Sequence, residues 1–319
     1  MNNKTILVTG GAGFIGSHVC DRLLELGHKV ICLDNLNNYY SPATKIENIK
    51  HNISNPNFIL QVLSITKKEH MKEVFKTYNI DVVIHLAARA GVRPSIEHPL
   101  WYQETNVDGT VNLLELSKQH KVKKFIFGSS SSVYGENKKI PFSEIDDVNN
   151  PISPYAASKK ACELFCYTYS YLTGLDIACL RFFTVYGPRG RPEMAIYLFT
   201  KWIMEGTAIS MFGDGETMRD YTYISDIVNG IVSCIDVNFK YEIINLGNSN
   251  PIKLKNLVST IEKITGKKAK IEQKPIPKGD VPLTYADLTK AKRLLDYEPK
   301  VSIEEGIKNF YEWFKTNKQ

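Results

Sequence analysis

Short apolar runs alternate with longer stretches of helical periodicity along the first 185 positions. Lys4 to Thr9 is an apolar run ended by glycines, which predicts a strand buried on both faces. From Phe14 to Leu26 apolar positions recur at helical spacing until Gly27 stops them. Further strands are predicted at Lys29 to Asp34, Phe58 to Leu63, Asp81 to Leu86, Lys124 to Phe127 and Ile177 to Phe182. Helical stretches lie between them, near 67–78, 104–119 and 155–172. Strands alternating with helices predict an α/β fold with a doubly wound parallel sheet.

Beyond about residue 185 the pattern loosens. Pro188, Pro192, Gly206, Gly213 and Gly215 mark loops around a helix near 194–205. Asp226 to Val237 has helical spacing, and Glu242 to Leu246 has that of a strand expected to rejoin the main sheet. The expected division is therefore 1–184 plus about 222–249 for the main domain. A smaller, discontinuous α/β lobe takes about 185–221 plus 250–319. No Pro/Gly/Ser-rich linker separates the two, so they are expected to share one cleft.

The 319 residues suffice for one large domain or two closely joined ones. The formal charge is +6, but lysines are interleaved with acids. The densest cluster, Lys267-Lys268-Ala269-Lys270, is expected to be a solvated turn, and no nucleic-acid partner is expected. Six cysteines form no CxxC pair, and several sit in apolar runs, as reduced thiols of a cytoplasmic protein do. Cys162 and Cys166 could share a helix face, yet no His or acid cluster completes a metal site, so no metal is expected. Neither an export signal nor an apolar run of membrane-spanning length is visible, and no membrane association is expected.

Gly10-Gly11-Ala12-Gly13-Phe14-Ile15-Gly16 joins the first strand to the first helix. Gly10, Gly13 and Gly16 allow a sharp turn and close approach of a pyrophosphate, while the helix start offers free N–H groups. Asp34 ends the next strand, where it can accept from ribose hydroxyls and repel a 2′-phosphate. Together these features predict a Rossmann dinucleotide site, with NAD favoured over NADP. Downstream, Tyr155 and Lys159 are four residues apart and share a helix face, with a Ser-rich strand end, Ser129 to Ser132, upstream. A free tyrosine titrates near about 10, so a tyrosine that acts as a base needs a neighbouring cation. Alone, Tyr155 would be a half-buried helix residue, Lys159 a surface lysine and Ser130 a turn residue. In this order behind the glycine run they point to proton and hydride chemistry at a hydroxyl.

Together these features resemble the extended short-chain dehydrogenase/reductases, the nucleotide-sugar epimerases and dehydratases. Specific stretches include His85-Leu86-Ala87-Ala88, Asn106-Val107-Asp108-Gly109-Thr110, Ser131-Ser132-Val133-Tyr134-Gly135 and Arg219-Asp220-Tyr221-Thr222-Tyr223-Ile224. The run from Arg181 to Ala195, and Asp34 to Tyr40, are most similar to UDP-glucuronate 4-epimerases. The resemblance implies bound NAD lined by Phe14, Ile15, Asn35, Asn37, Ser64, Ile65, Leu86, Ala87, Ala88, Asn106 and Phe183, besides Tyr155 and Lys159. Relatives often carry an acid where Ser64 stands; its hydroxyl is expected to bond the adenine amine more weakly. For the UDP-sugar, the resemblance implies Arg89, Ser130, Ser131, Thr184, Arg191, Arg219 at the phosphates and Asp280 at the uridine ribose. Thr184 and Arg191 would hold the sugar carboxylate, since a guanidinium forks onto a carboxylate and a hydroxyl adds a donor. Arg189 competes for that role, and Arg191 could instead pair with Glu193.

The implied reaction is a transient oxidation at C4. Tyr155 takes the 4-hydroxyl proton, Lys159 favours the phenolate and holds the nicotinamide ribose, and Ser130 bonds the C4 oxygen. The sequence leaves open whether Ser130, Ser131 or Ser132 makes that contact. Related decarboxylases and dehydratases place acids just after the catalytic hydroxyl, whereas here Ser131-Ser132 follow. Epimerisation of UDP-glucuronate to UDP-galacturonate is therefore expected. UDP-glucose or UDP-N-acetylglucosamine epimerisation is the alternative, and dehydration, decarboxylation or a non-catalytic NAD-binding scaffold rank behind. The resemblance also implies a homodimer through a four-helix bundle of the helices near 104–119 and 155–172, with Leu164, Phe165, Tyr167, Tyr169 and Tyr171 supplying contact.

Overall fold

The computed structural model describes residues 3–275 and 283–317. Its first six strands are β1 (Thr5–Thr9), β2 (Lys29–Asp34), β3 (Phe58–Val62), β4 (Val82–His85), β5 (Lys124–Ser130) and β6 (Asp176–Phe182). The later ones are β7 (Thr184–Tyr186), β8 (Ala208–Phe212), β9 (Met218–Tyr223), β10 (Tyr241–Leu246), β11 (Pro251–Lys253), β12 (Lys270–Lys274) and β13 (Leu283–Thr284). Seven of them form one parallel sheet in the order β10-β6-β5-β4-β1-β2-β3. As the sequence pattern predicted, β10 returns to the main sheet, beside β6. The winding direction reverses between β1 and β4, and a crevice opens at the carboxyl ends of strands at such a point.

Successive residues of each strand point to opposite faces, and the core divides accordingly. Ile6 and Val8 of β1, Val82 and Ile84 of β4 and Ile126 of β5 join one apolar cluster. Leu7, Val83, Phe125 and Phe127 join the other. Each such side chain, fully buried, contributes about 1.5–3 kcal/mol. This two-sided burial explains why the strands are continuous apolar runs in the sequence rather than alternating ones.

Three local differences from the sequence pattern matter for the site. β5 continues past Phe127, because parallel pairing with β6 carries Gly128, Ser129 and Ser130 opposite Leu180, Arg181 and Phe182. Ladder hydrogen bonds use the backbone, so a polar strand end is no obstacle. The helix expected at 104–119 is instead Pro99–Tyr102, a wide π turn at Gln103–Asp108, then Gly109–Gln119. The helix expected to run to Val237 spans Ile224–Ser233.

The remaining strands lie outside the main sheet. β9 pairs with β7, β11 and β13, and β8 pairs with β12. Two amphipathic helices, Leu254–Thr265 and Ile303–Thr316, turn Leu257, Ile261, Ile307 and Phe310 into the core. Among the described residues no helix is long and apolar enough to cross a membrane. Among the same described residues, no three or more His, Cys, Asp or Glu side chains gather as a metal site would require.

Candidate active site

A cleft of about 390 Å³ opens at the carboxyl ends of the central strands. Its floor is the glycine loop. Gly10 has a φ of +68°, and a Cβ there would stand 2.8 Å from the backbone nitrogen of Ala87. A Cβ on Gly16 would collide with the Gly10 carbonyl oxygen. Only glycine permits this turn and this close packing of helix on strand. The helix Phe14–Glu25 starts at Gly13, which offers no side chain to its first N–H groups. They remain available to an anion.

Asp34 is buried beside this loop. Its Oδ1 accepts from the Leu36 N–H at 2.9 Å and its Oδ2 from that of Ala12 at 3.3 Å. Lys45, also buried, brings Nζ to 3.9 Å from Asp34 Oδ1. The Tyr40 hydroxyl lies 3.7 Å from where a Cβ on Gly13 would sit, and it is buried without a hydrogen-bond partner. An open glycine cradle, an uncapped helix start and an unpartnered hydroxyl fit a bound dinucleotide. Tyr40 lies within the Asp34 to Tyr40 stretch noted in the sequence but was given no role there, and Lys45 was not singled out, because neither belongs to a spacing motif.

One wall is the strip Leu86 to Gly91. It is held from behind. The Ala87 N–H donates to Thr9 Oγ1 at 3.2 Å, and Asn106 exchanges two hydrogen bonds with the Arg89 backbone, at 2.8 and 3.0 Å. Asn106 is buried and stands behind the strip, outside the cleft lining. Its amide also donates to Ser158 Oγ at 3.0 Å. His85 joins the two supports, with Nδ1 2.7 Å from Thr9 Oγ1 and Nε2 2.9 Å from Thr110 Oγ1. Thr110 spends its own proton on the Asn106 carbonyl, so Nε2 is the donor and Nδ1 the acceptor. Burial drives His85 down to about 3, and the charge of Lys159 adds to the effect.

The opposite wall carries the catalytic candidates. Ser153 caps the helix Pro154–Thr173 by accepting from the Ala156 N–H at 3.1 Å, with Pro154 in the first turn. This start places Tyr155 and Lys159 in the cleft beside Ser130, Ser131 and Ser132. Lys159 Nζ donates to the Gly128 carbonyl at 2.6 Å and lies 4.8 Å over the Phe127 ring. Tyr155 meets Tyr102 edge to face, with centroids 6.1 Å apart. Ser130 donates to Ser132 Oγ at 3.1 Å and accepts from the Ser132 N–H. Ser129 is committed to the interior, donating to Glu163 Oε1 at 2.7 Å.

Thr184 and Arg191 line the same cleft, beyond the serines. Arg191 pairs with Glu193 at 3.1 Å. Arg189, two positions earlier, turns away at a φ of +63° and binds Asp21 at 2.7 Å. Gly10, Gly13, Phe14, Ile15, Gly16, Asp34, Asn35, Asn37, Ile65, Leu86, Ala87, Ala88, Arg89 and Phe183 also line the cleft. Ser64 does not; its hydroxyl is 3.0 Å from Thr66 Oγ1 and accepts from the Thr66 N–H. Arg219 lies on β9 outside this lining, donating to the Met218 carbonyl. Asp280 lies outside the described residues. Gly128, Thr105 and Met194 line the cleft without having been singled out in the sequence.

Residues 7–310 match the family model described as GDP-mannose 4,6 dehydratase. The chain belongs to this family. The UDP-glucuronate 4-epimerase of Thermodesulfobacterium geofontis is 48% identical over 312 residues, covering 98% of this chain and 96% of that protein. Among solved structures, the UDP-glucuronic acid 4-epimerase of Bacillus cereus, in complex with UDP-glucuronic acid and NAD, superposes with a TM-score of 0.91. It is 36% identical, with 98% of this chain and 99% of that one covered. The UDP-glucose 4-epimerase of Thermotoga maritima, with UDP-glucose, gives a TM-score of 0.90 at 38% identity, covering 99% and 100%.

Proposed function

We propose that this family member is an NAD-dependent 4-epimerase of UDP-sugars that interconverts UDP-glucuronate and UDP-galacturonate. One observation carries the choice of reaction. Among the described residues lining the cleft, Asp34 is the only acid, and it sits at the end of β2 against the glycine loop. Removing the sugar 6-hydroxyl requires an acid–base pair near the serines, and the cleft offers none there. The 48% identity to an epimerase supports the same reading.

When bound, NAD supplies a hydride acceptor that becomes the donor of the return step. The protein does the rest. Tyr155 removes the proton from the 4-hydroxyl, and Lys159, fixed on the Gly128 carbonyl, provides the nearby positive charge. Ser130 bonds the C4 oxygen as it becomes a carbonyl. The bound 4-keto sugar turns within the cleft and presents the opposite face of C4 for the return of the hydride, and Tyr155 gives the proton back to the C4 oxygen. Thr184 and Arg191 hold the sugar carboxylate, which favours UDP-glucuronate over UDP-glucose. Arg219 and Asp280 are assigned to the UDP portion by family resemblance. Residues 1–184 plus about 222–249 serve the cofactor, and about 185–221 plus 250–319 serve the sugar nucleotide.

A homodimer completes the reading. The helix Pro154–Thr173 turns Leu164, Phe165, Tyr167 and Tyr171 outward, and Leu100 and Trp101 are exposed nearby in sequence to its packing partner Gln103–Asp108. So much apolar surface on one helix suits a paired helix of a second copy. Tyr169 instead donates to Glu115 within the chain. A cytoplasmic location fits six buried free thiols.

The test is purified protein with UDP-glucuronate, UDP-glucose or UDP-N-acetylglucosamine, without added NAD, and products identified by NMR. C4 epimers from UDP-glucuronate are expected first. Carbon dioxide release or a 4-keto-6-deoxy product would overturn the assignment.

A further inference from the structure

Tyr40 and Lys45 stand beside the glycine cradle with bonding capacity that the protein itself does not use. The Tyr40 hydroxyl is buried, faces Gly13, and has no partner. A buried unpaired hydroxyl is costly, so it persists where something outside the chain completes it. What the cradle accepts is an anion, since the adjacent helix start presents only N–H groups. A tyrosine O–H is a donor of the same sense.

Lys45 adds a second incomplete site. Its Nζ lies 4.9 Å from the centre of the Tyr40 ring and donates to the Asn37 carbonyl at 2.9 Å and to Asn37 Oδ1 at 3.2 Å. An ammonium has three donors, and these contacts use two. The nearest carboxylate oxygen, Asp34 Oδ1, is 3.9 Å away, too far for a hydrogen bond. A buried ammonium and a buried carboxylate thus face each other across a gap. A vicinal diol suits it, because a hydroxyl can accept from the ammonium while donating to the carboxylate. Burial pulls the Lys45 ammonium below its ordinary pKa, with Asp34 opposing that pull, so a further acceptor at this point favours the charge.

We propose that Tyr40 and Lys45 form a clamp over the dinucleotide: Tyr40 donates its hydroxyl proton to the pyrophosphate, and Lys45 shares the adenosine ribose with Asp34. The clamp deepens the NAD reading above and rests on it. It accounts for retention of the cofactor through repeated turnovers, in which NAD is regenerated and has no need to leave. The stacked ammonium and ring tie the two contacts together, so losing either loosens both.

The test uses protein as purified, compared with Tyr40→Phe and Lys45→Met. NAD content is measured after acid release, and the rate of NAD loss by exchange into excess isotopically labelled NAD, read by mass spectrometry. Each variant is expected to lose NAD about tenfold faster or more, as for a hydrogen bond to a charged group. Cofactor-stripped Tyr40→Phe is expected to melt no lower than stripped wild type, because the hydroxyl it lacks was unpaired. Exchange by Tyr40→Phe within twofold of wild type overturns the clamp while leaving the enzyme reading intact. Wild type that neither carries nor exchanges NAD overturns both. Should Lys45→Met not fold, Tyr40→Phe alone decides.

Discussion

Lys159 donates a 2.6 Å hydrogen bond from Nζ to the Gly128 carbonyl, 31 positions earlier in the chain. The contact fixes the ammonium at the end of β5, two residues before Ser130. Replacing Lys159 with Met removes the charge and strips Gly128 of its donor. We expect the epimerisation kcat to fall by about 10²-fold or more, the usual scale for an impaired acid–base group. Tyr155→Phe should fall at least as far. NMR rates at matched NAD content check this, and a wild-type kcat in either variant would remove that residue from the chemistry.

Arg191 and Arg189 are two positions apart, yet only Arg191 lines the cleft, while Arg189 is held by Asp21. Arg191→Leu should lower kcat/KM for UDP-glucuronate by about 10- to 100-fold, the scale of a charge-assisted pair. Turnover of UDP-glucose should change little. Equal losses on both sugars would show that Arg191 does not select the carboxylate.

Behind the serines, Arg181 forms two 2.9 Å hydrogen bonds to Glu163, both side chains buried. Glu163 also accepts from Ser129, and Arg181 lies 4.8 Å over the Tyr134 ring. Glu163→Ala strands a buried guanidinium and should cost about 3–5 kcal/mol. The double change Arg181→Met with Glu163→Leu should recover much of that loss. Denaturant unfolding measures both; a Glu163→Ala cost below about 1 kcal/mol would contradict the buried-charge account.

His85 gives the fold an acid limit. Free histidine titrates near 6.5, and in the folded chain His85 is driven to about 3, chiefly by burial. Between those values the unfolded chain binds a proton that the folded one refuses. Stability therefore rises with pH through this window and is lost as pH falls from about 6.5 toward 3. The full contribution is on the order of 5 kcal/mol. His85→Gln should flatten this part of the stability profile, measured by unfolding between pH 4 and 7. An unchanged slope would place the acid sensitivity elsewhere.

On the outer face of the helix Pro154–Thr173, Tyr171 is 78% and Leu164 56% exposed. Changing both to Glu should leave the fold intact and convert a dimer to a monomer in sedimentation at micromolar concentration. Wild type sedimenting as a monomer would end the dimer proposal.

The glycine run, Asp34 and the Tyr155–Lys159 spacing were legible because each is a local relation. A loop and helix start are adjacent in sequence, and a four-residue spacing fixes a shared helix face. The strands were legible because burial on both faces leaves unbroken apolar runs. The apolar run of β5 stops at Phe127, short of the strand, because Gly128 and the strand-end serines Ser129 and Ser130 are held by pairing with β6, not by their own character.

The sequence by itself determined the parallel doubly wound sheet, the dinucleotide loop and the order of catalytic candidates, since those rest on periodicity and short spacings. Only the tertiary structure decided that Arg191 rather than Arg189 reaches the cleft. It settled in favour of the Arg191–Glu193 pair, which the sequence had left open, committed Ser64 to Thr66, and alone joined His85 to Thr9 and Thr110. It alone set Tyr40 over Gly13 and Lys45 beside Asp34. The contacts of His85, Tyr40 and Lys45 depend on which distant part of the chain a side chain meets after packing, and no residue carries that information in its immediate neighbours.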